Sequence, residues 1–311
     1  MNRRIIQILI PAEVDRIIDK YLIYLQLEKS LSANSVDAYT RDLSKLTDFA
    51  QTENIPLDKI TLKDLQQFVA QLRDIGIYAR SQARIISGIK SFYKFLMFEE
   101  YIETDPTELL DAPKIGLKLP DVLTVEEIDA VLKSFDLSTS EGRRNHAMLE
   151  TLYSCGLRVS ELITLKVSDV YFDEGFIKVT GKGSKQRLAP ISHIALKEIK
   201  NYLIDRNEID IQKGFEDVLF QTKRGRGLSR ITVFHIIKTQ VEAVGIKKNI
   251  SPHTFRHSFA THLLERGANL RSIQQMLGHE KITTTEIYTH IGKEHLRKAI
   301  LTHHPRYGNE Y

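Results

Sequence analysis

Apolar residues in the first third of the chain recur at steps of three and four. Val14, Ile17, Ile18, Tyr21, Leu22 and Leu25 form one such stripe, and Val36, Tyr39, Leu43, Leu46 and Phe49 form a second. That period puts each set on one face of an α-helix. Ser32 and Asn34 stand where a capping residue belongs before the second helix. Thr61 does the same before a third helix carrying Leu65, Phe68, Val69 and Leu72. A fourth is expected from about Ser81 to Phe98, with Ile85, Ile89, Phe92 and Leu96 inward and Arg80, Arg84, Ser87, Ser91 and Lys94 on the opposite face. Residues 1–110 therefore predict a helical domain. The stretch "DAPKIGLKLP", 111–120, has two prolines, a glycine and no period, and reads as a linker.

Residues 121–311 predict a second domain of mixed pattern. Thr124 starts a helix whose first turn holds Glu126 and Glu127, where carboxylates suit the helix dipole. Helical patterns continue to about Tyr153. The segment "VYFDEGFIKVTGKGSKQRLAPIS", 170–192, then alternates apolar and polar residues, with turns at Asp173–Gly175 and Gly181–Ser184. This predicts a small antiparallel sheet of three strands. Helices are expected beyond it at 192–206, 229–244, 252–266, 270–277, 283–290 and 293–302. The predicted class is mainly α.

Composition adds exclusions. The chain has 311 residues, 42% of them hydrophobic and 27% charged, which suits one large or two moderate folded domains. No apolar run approaches the roughly 20 residues of a membrane helix. The start "IIQILI" follows Arg3 and Arg4 but meets Pro11 and Glu13 with no small-residue cleavage site, so a secretory signal is rejected. Cys155 is the single cysteine, which rules out an internal disulfide and fits a reducing cytosol. Net charge is only +4, yet it is unevenly spread. Residues 1–110 hold 14 Lys and Arg against 16 Asp and Glu, the remainder 30 against 24, and all 11 histidines follow residue 145. The titratable chemistry is therefore sought in the second part.

Two local motifs invite other readings. "HTFRH", 253–257, offers two histidines one helical turn apart, but a zincin helix needs glutamate where Thr254 stands. His262 or His279 could complete a metal set only without supporting cysteines or acids. "TGKGSK" is no P-loop, since the required first glycine falls on Phe176 and Gly183 replaces the Ser or Thr. A phosphate reading fits better. Pro252 at the first helical position puts His253 in the first turn, where free N–H groups favour an anion, and Arg256 three residues on projects from the same face. One such pair is thin alone.

Four segments together are specific. "YSCGLRVSELITL" carries Arg158 and Glu161, "VTGKGSKQRLAP" carries Lys182, "SPHTFRHSFATHLLERG" carries His253 and Arg256, and "IQQMLGHEKITTTEIYTH" carries His279 and Tyr288. The set resembles the tyrosine recombinases of the phage integrase family, and within them the Xer type. "LSANSVDAYTRDL", 31–43, and "HHPR", 303–306, match the same group, so the resemblance runs from about Val14 to Arg306.

The resemblance implies a helical core-binding domain over 1–110, a linker over 111–120 and a catalytic domain over 121–311 with a C-terminal docking tail. It implies Tyr288 as the nucleophile that forms a 3′-phosphotyrosyl bond with DNA. Arg158 and Arg256 would clamp the phosphate, Lys182 would protonate the leaving 5′ oxygen, and His253 and His279 would hydrogen-bond the phosphate and assist proton transfer. Glu161 would orient Arg158. Arg80, Arg84, Lys94, Arg224, Arg226 and Arg230 become candidates for contact with double-stranded DNA. No metal or cofactor is implied. The partners implied are a recombination site, a tetramer of like or paralogous protomers and a DNA translocase as activator, in the cytoplasm at the nucleoid. The rival readings are an integrase of a phage or mobile element, a metal-dependent hydrolase and a non-catalytic DNA-binding protein.

Overall fold

The computed structural model describes residues 11–116, 121–278 and 298–307. The chain divides into two compact units, Met1–Lys118 and Leu119–Tyr311. Among the described residues, no helix is long and apolar enough to cross a membrane.

The first unit is built from four helices, α1 (Pro11–Leu27), α2 (Ala33–Thr52), α3 (Leu62–Asp74) and α4 (Ala79–Phe98). The stripes read from the sequence form its core, with Tyr21, Leu46, Leu65, Ile89, Phe92 and Leu96 fully buried. Each such side chain contributes about 1.5–3 kcal/mol on leaving water. Tyr21 meets Phe92 edge-on at 5.2 Å between ring centroids. Thr61 caps α3 as expected, in a reciprocal box with Asp64. α4 is more deeply embedded than a one-faced helix, because Gln82, Ile86, Gly88, Tyr93 and Phe95 are buried as well. Arg84 is exposed as expected and also forms an ion pair with the buried Asp42 of α2.

The second unit surrounds α6 (Ser140–Cys155), whose Ala147, Met148, Leu149, Leu152 and Tyr153 are fully buried. α5 (Val125–Lys133), α8 (His193–Arg206) and α10 (Pro252–Glu265) pack against it. The helical pattern from Thr124 to Tyr153 is not one helix. Between α5 and α6 the Asp136 carboxylate accepts from the Ser138 amide and hydroxyl, and Thr139 caps α6 through the Gly142 amide. Side chains of this kind offer the backbone partners outside a helix, so the chain turns here.

The sheet matches its expectation: β1 (Val170–Tyr171), β2 (Phe176–Thr180) and β3 (Gln186–Pro190) pair antiparallel in the order β1-β2-β3. Val179 lies opposite Arg187 and Thr180 opposite Gln186, so the 181–185 turn closes the β2–β3 hairpin. α9 (Arg230–Ala243) and α11 (Leu270–Leu277) also fall where expected, and residues 298–303 are helical. The expected helix at 283–290 lies outside the described residues. A five-residue helix, α7 (Val159–Ile163), was not legible in the pattern.

Candidate active site

The site starts where α6 stops. Gly156 takes the left-handed conformation at φ +57°, and a Cβ there would come within 2.4 Å of the Phe259 ring. Glycine is required on both counts. The reversed chain then delivers Arg158 to the start of α7. There the Arg158 amide donates to Glu161 Oε2 at 2.8 Å, and its Nη1 donates to Oε1 at 2.8 Å.

Glu161 is 4% exposed and gathers more than one guanidinium. Arg187 from β3 grips both oxygens, Nη1 to Oε1 at 2.8 Å and Nη2 to Oε2 at 2.9 Å. Arg256 from α10 brings its Nη1 to 3.8 Å from Oε2. Burial alone would raise the Glu161 pKa, but the hydrogen bonds and charge of Arg187, with those of Arg158, outweigh it and hold it at about 2. Burial lowers Arg256 to about 10, assisted by the charges of Arg158 and Arg187 and opposed by Glu161. Even so lowered, Arg256 stays charged at neutral pH. One carboxylate thus balances three cations.

Arg256 also donates to Gly156 O at 2.8 Å and to Leu277 O at 2.6 Å. Those bonds tie α10 to the end of α6 and to the end of α11. They turn the guanidinium inward, so Arg256 is buried while His253, one turn earlier, is exposed. The two share a helical stripe but not an environment. The N-terminus that holds His253 forms as expected, with Pro252 in the first turn and Ser251 and Thr254 in a reciprocal cap.

Lys182 belongs to the β2–β3 turn. The stem of that turn lies against the cluster, since a Cβ on Gly181 would sit 3.7 Å from Glu161 Oε1. His279 and Tyr288 lie outside the described residues. Gly278, the last described residue before them, is a left-handed cap at φ +65°, and a Cβ there would meet Arg187 Cδ at 3.1 Å.

The remaining candidates fall elsewhere. Arg224, Arg226 and Arg230 are exposed. The first two line an open cleft of about 580 Å³ with Lys223 and Thr232, and Arg226 donates to Gln212 Oε1 at 2.6 Å. Arg80 and Lys94 are exposed in the first unit. Lys94 lines an open cleft there of about 440 Å³ with Lys29, Lys90, Tyr24 and Tyr39, of which the sequence reading singled out only Lys94 for DNA contact. His257 is exposed, and His262 is a packing residue whose Nδ1 pairs with the Tyr153 hydroxyl at 2.9 Å. Cys155 is buried, and burial pushes its thiol up to about 12. Among the described residues, no three His, Cys, Asp or Glu side chains gather as a metal-ligand set. Sequence reasoning missed Arg187. The only available signal was an arginine amid the apolar positions of a strand.

Comparison with known proteins places this geometry in a context. Residues 121–295 match the "Phage integrase family", and residues 18–100 match the "Phage integrase, N-terminal SAM-like domain". The chain is 44% identical over 294 residues to the tyrosine recombinase XerD of Staphylococcus saprophyticus subsp. saprophyticus, covering 94% of this chain and all of the relative. The tyrosine recombinase XerD of Staphylococcus aureus gives the same identity and coverage. In fold, the chain resembles XerH bound to its difH substrate in a pre-cleavage complex, with a TM-score of 0.66 at 22% identity over 88% of this chain and 81% of that one. A lambda integrase dimer bound to a COC′ core site gives 0.68 at 21% identity, over 88% and 99% of the two chains.

Proposed function

Since the chain belongs to the phage integrase family of tyrosine recombinases, we propose that Tyr288, Arg158, Lys182, His253, Arg256 and His279 are the residues with which it cuts and rejoins DNA. It is a site-specific recombinase of the Xer type. The observation that carries the residue assignment is the convergence of Arg158 and Arg256, far apart in sequence, on the single carboxylate of Glu161.

A phosphodiester repels nucleophiles because it is already anionic. Attack moves further charge onto its non-bridging oxygens, so cations fixed beforehand favour the transition state over the ground state. Arg158 suits direct contact, because its side chain is 37% exposed and only Nη1 is committed to Glu161. Arg256 presents a planar fork already held by two carbonyls. Tyr288 attacks phosphorus through its phenolic oxygen as a neighbouring base takes the phenolic proton; the P–O5′ bond breaks as the P–O(Tyr) bond forms. Lys182 gives the leaving 5′ oxygen its proton. The ester conserves the bond energy, so a 5′-hydroxyl from another strand reverses the step without ATP. His253 and His279 bond the phosphate oxygens.

The substrate is a double-stranded recombination site, bound by both units, with Arg80, Lys94, Arg224, Arg226 and Arg230 on its backbone. Arg84 contributes less, being spent on Asp42. Four protomers act on two sites, and the whole-length likeness to XerD supports chromosome-dimer resolution; a DNA translocase as activator and action at the nucleoid are part of the same proposal.

The test is a nicked suicide substrate that traps the covalent intermediate. Tyr288→Phe is expected to bind this DNA and form no adduct, while the parent forms adduct equally well in chelator. Adduct at the parent level from the phenylalanine variant removes Tyr288 from its role, and loss in chelator restored by zinc revives a metal mechanism.

A further inference from the structure

Arg187 is the most fully committed charged side chain around Glu161. Its Nη1 and Nη2 hold the carboxylate, and its Nε donates to Met276 O at 2.9 Å. The side chain is 10% exposed, against 37% for Arg158. All three of its nitrogens point at protein, so contact with a bound phosphate is left to its neighbours. Glu161 in turn accepts four hydrogen bonds, two from Arg158 and two from Arg187, which fills the acceptor capacity of a carboxylate.

Three parts of the site meet on this one side chain. Arg187 is the second residue of β3, immediately beyond the turn that carries Lys182. Through Glu161 it fixes the cap that presents Arg158. Through Met276 O, and by lying under Gly278, it fixes the end of α11 from which the chain proceeds to His279. We propose that Arg187 is a positioning residue for strand cleavage, locking Glu161 as an anion so that Arg158, the Lys182 turn and the exit of α11 keep one geometry. This rests on the assignment of Arg158 and Tyr288 made above.

A chemical consequence separates positioning from mere packing. Among the described residues, the charged groups facing Glu161 are Arg158, Arg187 and Arg256. With Arg187 present the carboxyl stays ionised far into acid. Without it, burial has less opposition, and the Glu161 pKa rises towards and past the ordinary carboxylate range. Protonated Glu161 accepts fewer bonds and releases Arg158.

The experiment measures adduct formation on the suicide substrate from pH 5 to pH 9, at saturating DNA, for the full-length parent, Arg187→Gln, Arg187→Lys, Glu161→Gln and the Arg187→Gln/Glu161→Gln double variant. Rates are expressed relative to the parent, so titrations common to all cancel. Arg187→Gln is expected to fall about tenfold to a hundredfold near neutral pH, as supporting groups behind a reactive centre do, and to fall further as the pH drops. The extra acid loss should disappear in the double variant, where residue 161 cannot titrate. Lysine keeps the charge without the fork, so Arg187→Lys should lose rate with a weaker acid loss. A rate ratio for both Arg187 variants that is flat in pH overturns the proposal and leaves Arg187 as packing. Should Arg187→Gln not fold by circular dichroism, the lysine variant decides in the same way. Arg158→Ala run alongside separates the two ideas: full adduct from it defeats the site assignment itself, whereas its loss with a flat Arg187 ratio defeats only the positioning role.

Discussion

Two buried glutamates of the second unit, Glu161 and Glu150, each meet arginine and yet titrate in opposite directions. Glu161 is held at about 2, whereas burial raises Glu150 to about 7. The difference lies in the company. Glu161 has two aligned guanidiniums and a third at 3.8 Å. Glu150 has one, Arg306, whose Nε lies 3.0 Å from its Oε1 without hydrogen-bond alignment and which is shared with Asp129 at 2.6 Å. Asp129 and Glu198 add negative charge nearby. The Glu161 cluster has three cations to one anion; around Glu150 three carboxylates, Glu150, Asp129 and Glu198, face one arginine. On the proposed function a phosphate completes the first, whereas a proton completes the second. Burial is common to both, so charge balance and donor alignment decide which buried carboxylate stays ionised.

The largest break comes from removing a cation from the first cluster. Arg158→Ala or Arg256→Ala should slow adduct formation by on the order of 10²–10³, as loss of one fixed oxyanion donor does. Arg306→Ala should leave the rate per folded molecule within a few-fold, since that arginine belongs to the other cluster. Equal loss at both places would erase the distinction. Next in size is the removal of each anion. Glu161→Gln strands three guanidiniums, and breaking such a buried set by one partner costs about 3–5 kcal/mol. Glu150→Gln at pH 7 should cost much less, because that carboxyl already holds a proton about half the time. Urea unfolding at pH 7 measures both; equal losses would mean that the two environments do not differ as described.

The sequence made one side of this comparison far more visible than the other. The helices were legible because apolar residues at helical spacing share one face that packs into a core, and Thr61 and Thr124 capped where their side chains allow. The β2–β3 hairpin was legible from its glycine-rich turn. The split at 134–139 was not, since it depends on which of several short polar side chains turns back on the backbone. Arg158, Glu161 and Arg256 stood out only as a set across separated segments; each alone is an ordinary charged residue. Arg187 was invisible because its partners, Glu161 and Met276 O, are remote in sequence. For Glu150 and Arg306 the sequence offered an unremarkable helix position and a terminal "HHPR", with nothing to say that Arg306 folds back over the Tyr153 ring at 5.7 Å. Periodicity reports burial, whereas which buried charges meet is settled by tertiary contacts.

The smallest expected effect sharpens the comparison by sign. Glu161 stays charged in the folded chain below its ordinary 4.5, so its stabilising contribution is present above pH 4.5 and is lost as pH falls towards 2. Glu150 runs the other way. Between pH 4.5 and about 7 the folded chain keeps a proton that the unfolded chain has released, so stability falls as pH rises through that window. Each pKa unit corresponds to about 1.4 kcal/mol, which bounds the effect at about 3 kcal/mol. Glu150→Gln cannot titrate and should lose the decline while keeping a constant cost for the weakened contact with Arg306. Its unfolding free energy, measured by denaturant at pH 5 and pH 8, should therefore gain on the parent at the higher pH. His304, which burial lowers to about 3, titrates in both proteins and cancels in the difference. Parallel curves for parent and variant would show that Glu150 is ionised in the folded chain throughout, and that a single shared arginine is enough to hold a buried carboxylate in its charged form.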